Sequence, residues 1–289
     1  MIDKIYFAAG GIYALIYNFG AIKELHAEYY KSDSKLSRKI MLYGNSAGAI
    51  SALLFYMIIN NMFEMNELNE IYESFKCNIT MNFHITSLVI KLFDNILIRC
   101  PDDLYTRVSD VIHIGITTKN GHKFISKFNS NSDIFHAILS STSIPILSEY
   151  NSSINGEICI DGSFSFKYEY LPADTIIIYT YMNFPILLTF ICPPHILEIL
   201  LSELGKQKVI YYMENTKDII SKPVKNKQIY DLLPFHNWIE IHELLYKNPM
   251  WNKYIEFKAN DKISDSIMET VNLFDIVNYI QYSILNHIH

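Results

Sequence analysis

The stretch Gly44-Asn45-Ser46-Ala47-Gly48 constrains the fold more than any other part of the sequence. It follows the apolar run 40–43 and precedes residues 49–59, which are apolar nearly all round, as is typical of a helix buried against a sheet. The pattern predicts a strand, a sharp turn and a buried helix. Flanking glycines give room where the strand and helix backbones nearly touch, and a strained turn exposes the serine hydroxyl. We therefore interpret Ser46 as a candidate nucleophile rather than part of a plain structural turn.

The composition predicts a folded chain with a large core and excludes two classes of protein. Of the 289 residues, 50% are hydrophobic and 19% are charged, which excludes a disordered chain. The formal net charge of −6 argues against nucleic-acid binding, which needs a basic surface that displaces counterions. The scattered lysines between residues 206 and 227 are interpreted as a solvated face rather than a contact with anionic lipid.

The cysteines and the uncharged stretches bear on localisation. The four cysteines are far apart and form no CxxC pair, which indicates reduced thiols. Residues 5–22 and 175–192 approach the length of a membrane span, but Gly10, Gly11 and Pro185 interrupt them. We predict strand, loop and helix segments there. The expected location is the cytoplasm or the cytosolic face of a membrane, and not the secretory route.

The order of predicted elements indicates an α/β fold with a mostly parallel central sheet flanked by helices, plus a helix-rich C-terminal region. A catalytic domain is expected over residues 1–215, and a helix-rich extension over residues 216–289 packed on the core. The predicted elements are a strand over 4–9 with a helix to Ala27, a strand over 40–43, a helical insertion over 61–100, a hairpin about Asn120-Gly121 with strands over 111–117 and 123–128, a helix capped by Asp133, a strand over 157–160 and helices from Pro194 onward.

A serine hydroxyl needs a general base within hydrogen-bonding reach, and the sequence offers two kinds of candidate. In the order that α/β-hydrolases use, a histidine would follow the serine, and the candidates are His195, His236 and His242. No local pattern marks any of them. Asp161 ends an apolar strand and precedes a glycine, which places it at the edge where ligands meet parallel sheets.

Several segments in a fixed order resemble the patatin-like phospholipase family, most closely its adipose-triglyceride-lipase and adiponutrin branch. The main ones are the serine elbow from Gly44 to Gly48, the glycine loop after the first strand, and Asp161-Gly162-Ser163 after a later strand. The resemblance covers roughly residues 4 to 215. Supporting segments are Tyr17-Asn18-Phe19-Gly20, Ile125-Ser126-Lys127-Phe128-Asn129-Ser130, Ser143-Ile144-Pro145, Tyr170-Leu171-Pro172 and Pro193-Pro194.

The resemblance implies a three-layer patatin-like fold and a lipid acyl hydrolase that cleaves carboxylic esters of phospholipids or acylglycerols. It implies a dyad of Ser46 and Asp161 without a histidine, metal or cofactor, and an acyl-enzyme on the serine. The amides of Gly10, Gly11 and Ala47 would form the oxyanion hole. The implied partners are a lipid ester and the surface of a membrane or lipid droplet, bound peripherally; no protein partner is indicated.

The sequence departs from the family pattern at two places. The family loop has the form GxGxxG, whereas this chain has Ala9-Gly10-Gly11-Ile12-Tyr13-Ala14. Ser163 stands where the family usually has Gly or Ala. The altered loop keeps open the alternative of a catalytically impaired lipid-binding or interaction protein with this fold. A lipid transacylase is a further alternative, because an alcohol can replace water at the acyl-enzyme.

Overall fold

The computed structural model describes residues 3–31, 40–81, 85–145, 148, 152–178, 239, 242 and 243. The chain divides into two compact units, Met1–Glu243 and Leu244–His289, and every described residue belongs to the first. The domain boundary predicted after residue 215 lies outside the described residues and stays a prediction.

The described part alternates strands and helices, as the sequence predicted. A helical insertion over 61–100 was expected, and two helices occupy it. The elements are β1 (Lys4–Phe7), α1 (Gly11–Lys31), β2 (Met41–Asn45), α2 (Ala47–Ile59), α3 (Met65–Met81), α4 (Ile85–Leu97), α5 (Leu104–Val108), β3 (Ile112–Thr118), β4 (Gly121–Ile125), α6 (Asn131–Ser141), β5 (Ser153–Ile154), β6 (Glu157–Asp161) and β7 (Ile176–Ile178).

The described strands form one mixed sheet whose hydrogen-bonded order is β5-β6-β3-β2-β1-β7, with β4 also on β3. The pairs β3-β2, β2-β1 and β1-β7 are parallel. The pairs β3-β4, β3-β6 and β5-β6 are antiparallel. The predicted α/β fold with mostly parallel strands flanked by helices is therefore confirmed, with an antiparallel part added at β4 to β6.

The register along β3 brings the ends of two strands together. Strand β4 pairs with β3 over 114–118, so the strands that share those residues of β3 must use its other edge. Strand β2 pairs with residues 112–115 of β3, and β6 pairs with residues 116–118. Both therefore lie on the same edge, one after the other. Because β6 runs antiparallel, its C-terminal residue Asp161 faces the C-terminal end of β2.

A tight turn joins β5 to β6 and makes these two strands antiparallel. Asn155 and Gly156 join β5 to β6 with φ of 53° and 77°. Two successive positive φ values are typical of a two-residue hairpin turn, which reverses the chain. Asp161 was expected at the edge where ligands meet parallel sheets, and it lies beside the carboxyl end of β2, although its own strand runs antiparallel to β3.

The two faces of the sheet are buried in different ways. Ile5, Phe7 and Leu42 point into the main core with the apolar side chains of α1 and α2. Helix α2 is buried along almost its whole length, as its apolar sequence predicted. On the other face, Tyr6 and Tyr43 form a smaller aromatic cluster. The sheet thus receives the elbow helix on one face, while the other face is lined by rings.

Several smaller predictions have outcomes in the described part. The hairpin at Asn120-Gly121 is confirmed. The N-cap of α6 is Ser130, whose hydroxyl accepts from the Asp133 amide, so the prediction of Asp133 as cap was wrong. The Asp133 carboxylate instead accepts from the Asn129 amide and the Ser130 hydroxyl. Capping shifts because a hydroxyl at residue 130 reaches the amide three residues on.

The apolar stretches and the thiols agree with the sequence interpretation where they are described. Residues 5–22 form β1, a glycine loop and the start of α1. Within the described residues, no helix combines the length and apolar character needed to cross a membrane. Cys100 and Cys159 are free thiols. The side chain of Cys77, and the stretches 179–192 and 206–227, lie outside the described residues.

Candidate active site

Ser46 lies in a strained turn between β2 and α2. Its φ of 55° and ψ of −127° belong to a region that residues with a side chain rarely occupy. It is the N-cap residue of α2 and is only 5% exposed. A non-glycine residue in such a conformation is held there by its surroundings, and such strain clusters at functional sites.

The two glycines of the elbow are required by close backbone packing. A Cβ on Gly48 would overlap the carbonyl oxygen of Phe7 in β1 and lie 2.6 Å from its carbonyl carbon. A Cβ on Gly44 would overlap the carbonyl oxygen of Gly48 and lie 2.6 Å from the amide of Ala49. The first turn of α2 therefore sits directly on β1 and β2, which fixes where the Ser46 side chain starts.

A buried hydroxyl from α6 holds the backbone of the turn. The Ser46 amide donates to the Ser141 Oγ at 2.8 Å, and that hydroxyl donates to the Gly115 carbonyl at 2.6 Å. Ser141 is fully buried. Because its proton is committed to Gly115, its lone pair faces the Ser46 amide. The nucleophile turn is thus tied both to α6 and to strand β3.

Asp161 meets Ser46 where β6 ends against β2. The Ser46 hydroxyl lies close enough to the Asp161 carboxylate to lower its pKa, and Asp161 is 1% exposed. Burial, the largest influence, raises the pKa of Asp161 above its ordinary value, while the hydrogen bonds from the Ser163 hydroxyl and amide and the nearby Ser46 hydroxyl lower it in part. The net direction is upward, which makes this carboxylate a stronger base than an exposed aspartate.

Gly162 allows β6 to approach the elbow. A Cβ there would overlap the carbonyl oxygen of Gly115 and lie 3.1 Å from Asn45 Oδ1. The residue that follows Asp161 must therefore lack a side chain if the two strand ends are to meet. Ser163, the third residue of the predicted motif, donates its amide to Asp161 Oδ1 at 2.9 Å, and its hydroxyl also hydrogen-bonds to that oxygen.

Asn45, the residue before the nucleophile, is held by a polar cluster on the aromatic face of the sheet. Its Nδ2 donates to the Tyr6 hydroxyl at 3.1 Å, and its Oδ1 lies 3.3 Å from His122 Nε2. A Cβ on Gly115 would overlap this Oδ1. Burial lowers the pKa of His122 to about 4, so its ring is neutral at pH 7.

The predicted oxyanion-hole residues lie at the carboxyl ends of the neighbouring strands β1 and β2. Gly10 and Gly11, with φ of 153° and 62°, connect β1 to α1. Ala47 is the first residue of α2 and is buried, and its amide has no acceptor within its own helix. The amino ends of two helices, each with partial positive charge, therefore lie near the edge that carries Ser46.

A buried polar link connects the two helices that start at these turns. Asn18 Nδ2 in α1 donates to the Ser51 hydroxyl in α2 at 2.9 Å. The Ser51 hydroxyl in turn donates to the Ala47 carbonyl at 2.9 Å. All three residues are buried. The start of α2 is thus connected to the middle of α1.

Of the three histidines that the sequence offered as bases, the structure describes only His242. His195 and His236 lie outside the described residues. His242 is fully buried, and burial lowers its pKa to about 4. Among the described residues, no group of three or more His, Cys, Asp or Glu side chains could hold a metal ion.

Sequence reasoning missed Ser141, Asn45, Gly115 and His122 as parts of the site. Ser141 lies in the run Ser140-Ser141-Thr142-Ser143, where nothing local distinguishes one hydroxyl from the next. Gly115 carried a usable signal, because a glycine inside an apolar strand often marks a close approach. Asn155-Gly156 carried another, since it is a strong hairpin signal and joins β5 to β6 as an antiparallel pair.

No protein-family model and no curated protein matches this chain.

Proposed function

We propose that this chain is a serine ester hydrolase that acts on lipid acyl esters through Ser46 and Asp161. The observation that carries the proposal is the close approach of a serine in a strained elbow to a fully buried carboxylate, whose pKa the serine hydroxyl lowers. The proposed fold is the patatin-like type of three-layer α/β fold. The lipid substrate class rests on the sequence resemblance to patatin-like phospholipases described above.

In the proposed mechanism, Asp161 accepts the Ser46 proton as the serine oxygen attacks the ester carbonyl carbon. The carbon–oxygen bond to the alcohol then breaks, and the alcohol leaves with the proton from Asp161. Water then attacks the acyl-enzyme, again with Asp161 as base. The free acid is released, and Ser46 regains its proton from Asp161. An ordinary aspartate is a weak base for this task, so its burial supports the assignment.

The negative charge on the carbonyl oxygen needs donors that are already in place. The amides of Gly10, Gly11 and Ala47 are the proposed donors. The Ser46 amide is not a candidate, because Ser141 occupies it. The two amides of the elbow thus have different roles. The Ser46 amide stabilises the turn by its hydrogen bond to Ser141, and the Ala47 amide is the proposed donor to the substrate.

The proposal is tested with a fluorophosphonate probe that labels activated serines. The wild-type chain should take one label, and Ser46→Ala should take none. Asp161→Asn should label at least 100-fold more slowly, in line with the loss of a general base. The exposed strand residue Ser153 provides the matched control, and Ser153→Ala should label like the wild type.

Three outcomes would count against the proposal or redirect it. A wild-type chain that takes no label, alongside a control hydrolase that does, would favour the lipid-binding alternative. Labelling that persists in Asp161→Asn would point to another base. If the protein hydrolyses short p-nitrophenyl esters but hydrolyses neither phospholipid vesicles nor triacylglycerol emulsions, the lipid substrate class is contradicted. The assignment of the dyad would still stand.

A further inference from the structure

Ser163 makes an unusual double contact with the candidate base. Its amide donates to Asp161 Oδ1 at 2.9 Å, and its hydroxyl hydrogen-bonds to the same oxygen. Asp161 caps the short 3-10 turn Gly162–Phe164, so the amide contact belongs to the turn itself. The hydroxyl contact is different, because only a residue with a side-chain donor at this position can make it.

The two contacts restrict the carboxylate. A carboxylate has two oxygens, and Oδ1 is occupied by two donors from one neighbouring residue. The backbone of this turn is itself fixed, since Gly162 packs against the Gly115 carbonyl. Rotation of the carboxylate would break both hydrogen bonds at a side chain that is only 1% exposed. Oδ2 is left as the oxygen on which a proton can be received.

We propose that Ser163 is a positioning residue that holds the Asp161 carboxylate by Oδ1, so that Oδ2 faces Ser46 and takes its proton. This inference rests on the proposed function, since it assigns a role within the same dyad. It assigns a use to the hydroxyl that distinguishes this chain from the Gly or Ala of the family it resembles.

The same contact limits the basicity of Asp161. A hydroxyl that donates to a carboxylate stabilises the ionised form, and this contribution opposes the upward effect of burial on the pKa of Asp161. Ser163 therefore lowers a pKa that burial alone would raise further. The consequence is a wider pH range in which the base is ionised and the enzyme active.

The test is the pH dependence of kcat/KM for ester hydrolysis by the wild type and by Ser163→Ala. Activity requires ionised Asp161, so it falls as the pH drops through the pKa of that residue. In Ser163→Ala this acid limb should move to higher pH by about one unit, the size expected for one hydrogen bond to a charged oxygen. Ser163→Thr keeps the hydroxyl and should restore the wild-type limb.

Ser165 gives a matched control just beyond the same turn. Its hydroxyl donates to Thr117 Oγ1 at 2.9 Å, and it takes no part in the dyad. Ser165→Ala should therefore leave the acid limb where it is in the wild type. A general loosening of this segment would move the limb in both alanine variants, whereas the proposed role moves it only in Ser163→Ala.

A second measurement does not depend on turnover. Carbon-13 NMR of the aspartate carboxyls, assigned with Asp161→Asn, should show a higher pKa for Asp161 in Ser163→Ala than in the wild type. An unchanged or lower pKa, or a Ser163→Thr variant that behaves like Ser163→Ala, would overturn the inference. Absence of turnover in the wild type would instead contradict the proposed function, and NMR would still decide the role of Ser163.

Discussion

Two strand-to-helix turns lie side by side at the carboxyl edge of the parallel strands, and they are built in opposite ways. The β2-α2 turn is buried, and backbone atoms of β1 and α2 surround Gly44 and Gly48. The β1-α1 turn has an exposed residue, Gly11, and a Cβ there would meet no atom of the described residues within 4 Å. Packing requires glycine at residues 44 and 48, whereas at residue 11 the positive φ of 62° favours it.

The difference fits the two tasks that we propose for these turns. A nucleophile must be held in one place, and the tight turn does so through glycines, Ser141 and the buried helix α2. A loop that donates amides to a substrate must leave space for that substrate, and Gly11 is exposed. Substitutions should therefore have unequal effects at the two turns, even where the chemical change is the same.

The largest effect is expected for Gly48→Ala compared with Gly11→Ala. The Cβ at residue 48 would overlap the backbone of β1, which is not free to move, and this outweighs the gain of about 1 kcal/mol in helix propensity. We expect Gly48→Ala to lose about 3 kcal/mol or more of unfolding free energy in urea, as other overpacked core sites do.

Gly11→Ala should lower the free energy of unfolding only because alanine disfavours the positive φ at this residue. That cost is about 1 kcal/mol, and the lower entropy of the unfolded chain offsets part of it. Equal losses at the two sites, or a larger loss at Gly11, would show that the difference between the turns is not one of packing. A Gly11→Ala variant with near-normal stability also allows its activity to be measured directly.

A smaller effect is expected for Ser141→Ala, which leaves the buried Ser46 amide without its acceptor. An unsatisfied buried donor costs about 1–3 kcal/mol. We expect the loss in urea denaturation, together with slower fluorophosphonate labelling of Ser46. Ser132 is an exposed residue of the same helix, and Ser132→Ala should stay within about 0.5 kcal/mol of the wild type. A Ser141→Ala variant as stable as this control would contradict the role given to Ser141.

The smallest effect is expected from the backbone strain at Ser46. It is measured as the difference in stability between Ser46→Gly and Ser46→Ala, which both lack the hydroxyl. Ser46→Gly relieves the positive φ, whereas Ser46→Ala keeps it. The relief of about 1–3 kcal/mol is reduced by the greater entropy of glycine in the unfolded chain, so Ser46→Gly should be more stable by about 1 kcal/mol. If thermal and urea unfolding place Ser46→Ala level with Ser46→Gly or above it, the turn holds no such strain.

The elements that follow from local pattern were predictable, and the reason is that their signals lie within a few residues. The strand, turn and helix around Ser46 and the hairpin at Asn120-Gly121 are of this kind. The cap of α6 was not, because Ser130 and Asp133 both suit an N-cap and only the helix start distinguishes them. Ser141 could not be selected among neighbouring hydroxyls, since its partners come from β2 and β3.

The sequence by itself determined that this chain places a serine between two glycines at the end of a buried strand, and that an aspartate ends another strand. Only the tertiary structure decided that these two residues meet. Their meeting depends on β6 running antiparallel along the same edge of β3 as β2, just beyond the end of β2, and on glycines that let the strand ends approach. It also decided the basicity of Asp161, because burial by distant parts of the chain is the largest influence on its pKa, ahead of the contacts with Ser163 and Ser46.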